Sequence, residues 1–514
     1  MSIHRVFIKE RSAYTVSGLS AKLGVDEVRT SECISALAVS GVLRWRSGST
    51  RDEFDDEVPA FYAGKYQFVY VGLAIIENIL IIIYPKYMDD SRFIGNSISE
   101  ATCNDLRQLF CVLRKSSGSY SRIVSFTEST HKFNDRIACM LMLIEMYDEY
   151  GIYSNSKRVL KTNGPGEISW ERTIAAHQAF IDNGTPIYFN FETITSTRDD
   201  ADFIMRLHRC VLTECSSYLK ETGLAELLSL DEIELSDEKI EELGDKEFIL
   251  YKLNLERGAQ FVTWKQEVLD LLIRYLNEDE SDVNTDKILC LGSTAFHDVW
   301  EKACKAVFGD LLDKQLDEIS SSLSSEWAQR GDEKLIGIVP RPKWARIVNG
   351  EGQVCGDVKT LIPDTVAVWD YDDRRTFVVL DAKYYTPQLG AKPKGVPGVG
   401  DITKQILYQR AYRDFVSSHN FSQVVNAFLV PYEGEALELL GHVDFPGVFD
   451  CVEPPFVDGV DMWLVPAARV WRCYLNGKVL TNDEQALLLD AARDSRKKWG
   501  NILRDDDVHA SEEA

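Results

Sequence analysis

Two apolar segments separated by a short charged stretch constrain this chain more than any other feature. Thr365–Trp369 and Thr376–Leu380 are rich in β-branched residues, and the six residues between them are mostly charged. This pattern predicts two β-strands joined by a turn. If the turn is centred on residues 372–373, antiparallel pairing places Asp364 opposite Asp381.

The opposed carboxylates predict a cation site. Directly opposed side chains lie about 4.5 to 5.5 Å apart at Cβ, and Lys383 projects from the same face of its strand as Asp381. Two such acids repel each other unless a cation or a proton neutralises one of them. Oxygen ligands suit Mg²⁺ or Mn²⁺, and this chemistry favours phosphodiester hydrolysis. The alternative is an ordinary hairpin that carries a turn aspartate and a solvated ion pair.

These residues also resemble a known motif. Pro363-Asp364 and Asp381-Ala382-Lys383 are similar to the catalytic motif of the PD-(D/E)XK nucleases. The resemblance implies a carboxyl-terminal domain with a mixed sheet flanked by helices, and a metal-dependent endodeoxyribonuclease that uses Mg²⁺, with Mn²⁺ as a substitute. It implies that Asp364 and Asp381 bind the metal, joined by Ala382 through its main chain, and that Lys383 acts on the attacking water.

A predicted amphipathic helix precedes the hairpin at residues 295–308. Four of its apolar residues lie near one face, namely Phe296, Val299, Ala303 and Val307. The first helix of the resembled fold often supplies another acidic ligand, so the resemblance assigns Glu301 to metal binding and catalysis. The alternative for Glu301 is a surface charge. His297, one turn earlier, is expected to be a packed or hydrogen-bonded histidine.

A second helix is predicted after the hairpin, at residues 401–412, where Gln405, Gln409 and Tyr412 share a face. This face resembles the glutamine and tyrosine helix that touches the DNA backbone in related nucleases. The resemblance implies catalytic roles for both glutamines and a DNA contact for Tyr412. The alternative is a helix that packs on the sheet. Residues 423–431 predict a strand that completes a buried sheet.

A further resemblance covers the amino-terminal half. Residues 68–76 and 79–87 predict a hairpin around Glu77-Asn78 and resemble the "strand, glycine, strand, Pro-Lys" element of McrC, while Gly166–Thr173 is similar to a mid-chain signature. Together they resemble the LlaJI family of restriction endonucleases. This implies a bacterial restriction or antiphage system in which the nuclease subunit works beside a McrB-like AAA+ NTPase. The sequence contains no G-x-x-x-x-G-K-[ST] phosphate loop, so any motor is another polypeptide.

The formal net charge of -24 is the main objection to a DNA enzyme, because DNA affinity comes largely from cations that neutralise phosphates. Residues 340–415 are an exception, with more Lys and Arg than Asp and Glu. Eight cations of this region are candidates for contacts with double-stranded DNA: Arg341, Lys343, Arg346, Lys392, Lys394, Lys404, Arg410 and Arg413. The alternative for each is a solvated surface charge. Weak intrinsic DNA affinity, compensated by a partner that loads the subunit, is expected.

Length and pattern indicate a multidomain α/β protein. The predicted domains are a winged-helix-like domain (1–60), a McrC-like β/α region with the hairpin (61–150), a mainly helical middle (151–282), the nuclease domain (283–450) and an extension with a disordered acidic tail (451–514). Two helices around a turn at Gly24 and a basic edge at Arg44, Arg46 and Arg51 favour the winged helix, which either reads DNA or docks a protein.

Composition excludes several classes of protein. The longest apolar stretch is too interrupted to span a bilayer, no secretory signal follows Met1, and eleven cysteines without a C-x-x-C pair indicate reduced thiols in a cytoplasmic protein. A homo-oligomer is compatible with the sequence. Two other functions remain compatible with the same residues: a catalytically silent scaffold that binds DNA or regulates a motor, and an RNA nuclease.

Overall fold

The computed structural model divides the chain into two compact units. Residues 4–118 and 290–514 contribute to one unit, and residues 130–289 form most of the other. The chain is a multidomain α/β protein with mixed sheets and many helices. The structure describes residues 4–46, 64–76, 78–94, 98–117, 136–198, 202–277, 288–320, 323–348, 351–357, 360–371, 374–445, 455–457 and 459–490. The predicted acidic tail, Arg51 and the middle of the hairpin turn at 372–373 lie outside these residues.

The amino-terminal segment forms two helices and a small antiparallel sheet. Its elements are β1 (His4–Lys9), β2 (Ala13–Tyr14), α1 (Val16–Leu23), α2 (Glu27–Val39), β3 (Leu43–Arg46) and β4 (Lys65–Phe68), and β4 lies between β2 and β3. Helix α1 ends at Gly24, which has a φ of 72°, as the predicted turn requires. Arg46 is buried and donates to the Gln67 side chain, so its expected place on a basic edge is corrected.

The predicted amino-terminal hairpin is confirmed. It consists of β5 (Val71–Ile76) and β6 (Ile79–Tyr84), which pair antiparallel, and is followed by α3 (Glu100–Ser117). Strand β1 runs parallel to β6. Every residue of β5 and β6 is buried, because a sheet covered on both faces needs apolar side chains on both.

The middle unit combines helices with small sheets. Its elements are α4 (Arg136–Tyr150), β7 (Ser156–Thr162), β8 (Glu167–Ile168), α5 (Trp170–Ala176), β9 (Phe180–Asp182), β10 (Thr185–Ile187), β11 (Glu192–Arg198), α6 (Phe203–Glu221), α7 (Leu224–Leu228), α8 (Lys246–Ala259) and α9 (Thr263–Asn277). Beside the expected helices, this unit contains the sheet β7-β11-β8 and the hairpin β9-β10, which the sequence did not predict. These strands are short, so their periodicity is weak in the sequence.

The carboxyl-terminal segment carries the largest sheet that the structure describes. Its elements are β12 (Ile288–Ser293), α10 (Phe296–Val307), α11 (Leu316–Ile319), β13 (Lys343–Val348), β14 (Glu351–Asp357), β15 (Thr365–Tyr371), β16 (Arg374–Ala382), α12 (Val399–Ala411), α13 (Arg413–Ser418), β17 (Gln423–Tyr432), β18 (Glu438–Val443), β19 (Val460–Pro466) and α14 (Ala467–Leu475). The five-stranded order is β15-β16-β17-β19-β18. Strand β17 is parallel to β16 and β19, and the outer pairs are antiparallel.

The predicted register of the β15–β16 hairpin is confirmed. Thr365 pairs with Leu380 and Val366 with Val379, so Asp364 and Asp381 occupy the next opposed positions. Residues 376–382 of β16 are all buried, since β17 and the flanking helices cover this strand.

Helices cover the five-stranded sheet. One apolar cluster combines Phe377 and Val379 of β16 with Tyr408, Tyr412 and other residues of α12 and α13. In another cluster, the rings of Trp300 on α10 and Trp471 on α14 are 5.3 Å apart. The apolar face predicted for α10 is buried as expected. None of the helices within the described ranges is long and apolar enough to cross a membrane.

Strand β12 continues the amino-terminal sheet, whose order is β1-β6-β5-β12. The contact between β5 and β12 depends on two glycines. A Cβ on Gly72 would lie 2.3 Å from the Leu291 carbonyl oxygen, and a Cβ on Gly292 would lie 2.2 Å from the Val71 carbonyl oxygen. Both distances are shorter than van der Waals contact, so the two strands approach closely only because these side chains are absent.

We expect Gly72→Ala to lower the free energy of unfolding by on the order of 2 to 4 kcal/mol, because its φ of 149° and the backbone contact both exclude a Cβ. Chemical denaturation monitored by tryptophan fluorescence measures this change. Gly352→Ala is the matched control, since nothing lies within 4 Å of its added Cβ. Equal stability of the two variants would contradict the close approach of β5 and β12.

Candidate active site

The structure brings Asp364, Asp381 and Lys383 together at the end of the β15–β16 hairpin. The Ala382 main-chain N–H donates to Asp364 Oδ2 at 2.9 Å, so the hairpin pairing itself fixes the first carboxylate. The Lys383 Nζ is 2.7 Å from Asp381 Oδ2, and the Lys383 N–H donates to the Leu429 carbonyl at 2.9 Å. Main-chain contacts with neighbouring strands therefore position all three side chains.

Lys383 lies between two carboxylates. Its Nζ is 3.3 Å from Asp401 Oδ1 in the first turn of α12, and Tyr385 donates its hydroxyl to the other Asp401 oxygen at 3.5 Å. Burial opposes the charge of the lysine, but the negative charges of Asp381, Asp401 and Asp364 outweigh this and raise the Lys383 pKa above its usual value. The ammonium is therefore a permanent cation of the site at neutral pH.

Glu301 projects from α10 toward the same group. Burial raises the pKa of Glu301 to about 7, with Asp298 and Asp381 adding to the rise and Lys383 opposing it. The charges of Asp381 and Lys383 therefore act on Glu301, although the glutamate is on a separate helix. The neighbouring His297 contacts Asp298, with 3.1 Å between Nε2 and Oδ1, so it is a hydrogen-bonded histidine.

Asp364 is a second carboxyl group of this site with a raised pKa. Burial, together with the charges of Asp381 and Glu301, raises the pKa of Asp364 to about 8, although the Ala382 N–H and Lys383 oppose this rise. Asp364 and Glu301 therefore hold protons near neutral pH. Lys383 alone does not neutralise the four acids near this strand end, Asp364, Asp381, Asp401 and Glu301. Another positive charge nearby would therefore lower the electrostatic energy of the group.

The carboxylates of this group are of the chemical kind that a divalent cation prefers. Asp364 and Asp381 supply carboxylate oxygens, the Ala382 main chain adjoins both, and Glu301 lies close enough to be influenced by their charge. Such oxygen donors suit Mg²⁺ or Mn²⁺. Within the described ranges, no group of three or more His, Cys, Asp and Glu side chains is placed so that it could hold a metal ion. Water would have to complete the coordination, which is usual for Mg²⁺.

Three residues near the site escaped the sequence argument. Asp401 bridges to Lys383, and burial together with Asp381 and Asp364 raises the pKa of Tyr408 to about 12. Asp310 accepts the main-chain N–H of Val366 at 2.9 Å and so fixes the start of β15. Asp401 and Tyr408 are seven residues apart, which places them on one helix face, and this spacing is the signal that could have identified them.

The face of α12 chosen from the sequence is corrected. Gln405 is fully buried and donates to the Val379 carbonyl at 3.1 Å and to the Ala427 carbonyl at 3.4 Å. Gln409 is also buried and donates to the Val457 carbonyl at 2.8 Å. Tyr412 packs its ring 5.2 Å from that of Phe377. This face holds the helix on the sheet, so it is not a surface on which DNA can lie.

The eight candidate DNA-contacting cations are all exposed. They lie on three surfaces: the β13–β14 hairpin with the two residues before it (Arg341, Lys343, Arg346), the loop before α12 (Lys392, Lys394), and the outer faces of α12 and α13 (Lys404, Arg410, Arg413). Arg346 donates to the Gln353 side chain across its hairpin at 2.8 Å. Their contact with DNA stays a prediction.

Comparison with known proteins identifies the relatives of this chain. The sequence profile of the LlaJI restriction endonuclease family matches residues 70–457. Type II restriction enzyme BsuMI component YdjA of Bacillus subtilis (strain 168) is 25% identical over 449 residues, which cover 86% of this chain and 87% of that protein.

Two solved structures also match. One, a half-complex from a tetradecameric assembly of Thermococcus gammatolerans McrB AAA+ hexamers with bound McrC, is 12% identical with a TM-score of 0.31, over 92% of this chain and 99% of that chain. The other, the T. gammatolerans McrBC complex, is 11% identical with a TM-score of 0.22, over 58% and 85%. Because the family profile covers more than half of the sequence, the chain belongs to the LlaJI restriction endonuclease family.

Proposed function

We propose that this protein is the nuclease subunit of a bacterial restriction or antiphage system, a Mg²⁺-dependent DNA endonuclease that hydrolyses phosphodiester bonds. The observation that carries the proposal is the Lys383 ammonium, 2.7 Å from Asp381 and 3.3 Å from Asp401, with Asp364 across the same strand end. The mixed sheet with α10 and α12 beside it supports a PD-(D/E)XK domain, and the family supports nuclease chemistry.

Each side chain of the site has a separate role in the proposed hydrolysis. Asp364 and Asp381 would hold the metal, with Ala382 contributing its main chain and Glu301 assisting. When bound, Mg²⁺, or Mn²⁺ in its place, would supply Lewis-acid activation of the phosphate and of a water molecule. Because its pKa is raised, Lys383 keeps its proton. It therefore orients the attacking water and stabilises the negative charge that develops on the phosphate, rather than acting as a base.

We propose double-stranded DNA as the substrate. The β13–β14 hairpin supports this because it presents cations beside exposed apolar side chains. Trp344 is 65% exposed and Ile347 is 82% exposed, next to Lys343 and Arg346. A two-stranded ribbon of this kind fits a DNA groove, and its cations offset locally the acidic character of the chain.

We also propose a McrB-like AAA+ NTPase as the partner of this subunit in the bacterial cytoplasm. The chain contains no phosphate loop of its own, and the "strand, glycine, strand, Pro-Lys" element supports an McrC-like role. The B. subtilis relative is described as a component of a restriction enzyme, which supports a subunit that works within a larger assembly.

Asp381→Ala and Lys383→Ala are each expected to reduce DNA cleavage by about 10³-fold or more, because each removes a group that acts on the scissile phosphate. Plasmid cleavage with Mg²⁺, with and without the NTPase partner, measures the loss. Asp370→Ala on the same hairpin is the control, since Asp370 is highly exposed and lies 3.8 Å from Arg375. If the native protein does not cleave DNA under any of these conditions, and the variants bind DNA and the partner as the native protein does, the result would favour a catalytically silent scaffold.

Mg²⁺ affinity is expected to rise from about pH 6 to about pH 9, because Asp364 and Glu301, with pKa values of about 8 and about 7, must lose protons before they bind a cation. Isothermal titration calorimetry in buffers with different ionisation enthalpies measures both the affinity and the protons released. Asp364→Asn should abolish most of the proton release. A pH-independent affinity with no released protons would contradict the proposed ligands.

Without metal, the contribution of Asp364 to the free energy of unfolding is expected to fall as pH rises from about 4 to about 8. The Asp364 pKa is higher in the folded protein than its ordinary 3.8, so the folded state binds more protons than the unfolded state between these values. Asp364→Asn should therefore raise the Tm of metal-free protein at pH 8 more than at pH 5. An equal change in Tm at both pH values would contradict the raised pKa of Asp364.

A further inference from the structure

The β13–β14 hairpin is an exposed two-stranded ribbon. Among the described strands, β13 and β14 pair only with each other, and the side chains of residues 341–347 and 351–355 are all exposed. A two-stranded hairpin without further support is only marginally stable in water. Both faces of the ribbon are therefore open to a ligand, and a ligand that covered one of them would stabilise it.

A hydrogen bond closes the ribbon at its base. The Thr360 hydroxyl donates to the Pro340 carbonyl at 2.6 Å, which joins the chain that enters the ribbon to the chain that leaves it. Thr360 precedes Asp364 by four residues, a span of at most about 14 Å. This distance corresponds to about four base pairs of a duplex. DNA with a phosphate at the candidate active site would therefore pass within reach of the ribbon.

One face of the ribbon is apolar. Ala345 pairs with Val354 and Ile347 pairs with Gly352, and paired residues project from the same face of a sheet. Ile347 is 82% exposed and Val354 is 69% exposed. A Cβ on Gly352 would have nothing within 4 Å of it, so the surface beside Ile347 is open. Ile347 is therefore an uncovered apolar side chain near the outer end of the ribbon.

The other face of the ribbon is polar. Arg346 pairs with Gln353, and its Nε and Nη2 donate to Gln353 Oε1 at 3.0 and 2.8 Å. Glu351 projects from the same face, since strand side chains alternate. Residues 341–357 contain three cations and two acids, a net charge of +1. Attraction to phosphates is therefore modest, and the apolar face is the part of the ribbon that can distinguish one DNA from another.

We propose that the ribbon enters the minor groove beside the cleavage site and that Ile347 inserts between two base pairs and unstacks them. This inference rests on the proposed nuclease function and adds to it a basis for the choice of substrate. Ala345, Ile347, Gly352 and Val354 offer no side-chain donor or acceptor that could read base edges. Inserted apolar side chains kink a duplex, and the cost of insertion is lowest where stacking is weak. The protein therefore selects DNA by how easily a base step opens.

The competing occupant of the ribbon is a second copy of this chain. The chain has a formal net charge of -24, and its acidic surface would attract the positive ribbon. The position of the ribbon favours DNA, because the bond between Thr360 and Pro340 holds its base close to the strand end that would act on the substrate. If a second copy covered the apolar face, substitution of Ile347 would change the oligomeric state and leave the choice among DNA duplexes unaltered.

The test measures the binding of two fluorescent duplexes of one sequence, fully paired or with a single mismatch, by anisotropy without a cleaving metal. The mismatch removes part of the unstacking cost, so we expect full-length native protein to bind that duplex at least about tenfold more tightly. Ile347→Ser should reduce this preference to about twofold or less. Ile347→Leu keeps an apolar side chain and should retain it.

A matched pair of substitutions provides the control. Val354→Ser removes a second apolar side chain from the ribbon and should weaken the preference, whereas Val479→Ser, at a residue outside the ribbon that is 55% exposed, should leave it unchanged. A folded Ile347→Ser variant with the native preference would overturn the inference. Failure of the native protein to bind either duplex, or a change of oligomeric state in Ile347→Ser without a change of preference, would also overturn it.

Permanganate oxidation of thymines gives a second readout that needs no variant. Unstacked thymines react with permanganate, so native protein should make thymines of a bound, fully paired duplex reactive, and their absence would contradict the inserted side chain. Neither readout requires cleavage. Native protein that unstacks DNA but never cleaves it would contradict the proposed function alone, and native protein that cleaves without unstacking or mismatch preference would contradict this inference alone.

Discussion

Repulsion among carboxylates at one strand end is the interaction on which this structure depends. Asp364 and Asp381 are forced together by the hairpin register, Glu301 approaches from α10, and Asp401 approaches from α12. Lys383 offsets part of this charge through its contacts with Asp381 and Asp401. Burial, together with the remaining imbalance, raises the pKa of Asp364 and of Glu301, so both hold protons near neutral pH. A divalent cation relieves the same imbalance, which is why a costly arrangement of acids is consistent with a binding site.

The sequence was most informative where one local rule determines the geometry. Strand side chains alternate between faces, so a single assumption about the turn placed Val366 opposite Val379 and Asp364 opposite Asp381, and the observed pairing agrees. The helix at α12 was predicted as well, but its orientation was not. A helix with several polar residues offers more than one candidate face, and the choice of Gln409 and Tyr412 selected the side that packs on the sheet.

Contacts between distant segments left no local signal. Asp310 fixes Val366, and Glu10 and Lys86 meet Tyr384 across most of the chain length. Neither hydrophobic periodicity nor a short motif reports which residues meet in this way. Arg46 shows the same difficulty, since a cation expected at the surface is buried against Gln67. Burial of a polar side chain depends on a partner that sequence spacing alone does not identify.

The close passage of β5 and β12 at Gly72 and Gly292 bears on how this protein is synthesised. Strand β5 leaves the ribosome long before β12, and α14, whose Trp471 packs on Trp300, is made later still. The edge of β5 that pairs with β12 therefore has no partner strand while the residues between them are translated. The charged group at the end of β15 and β16 is complete only after α10, this hairpin and α12 have all been synthesised and have packed together.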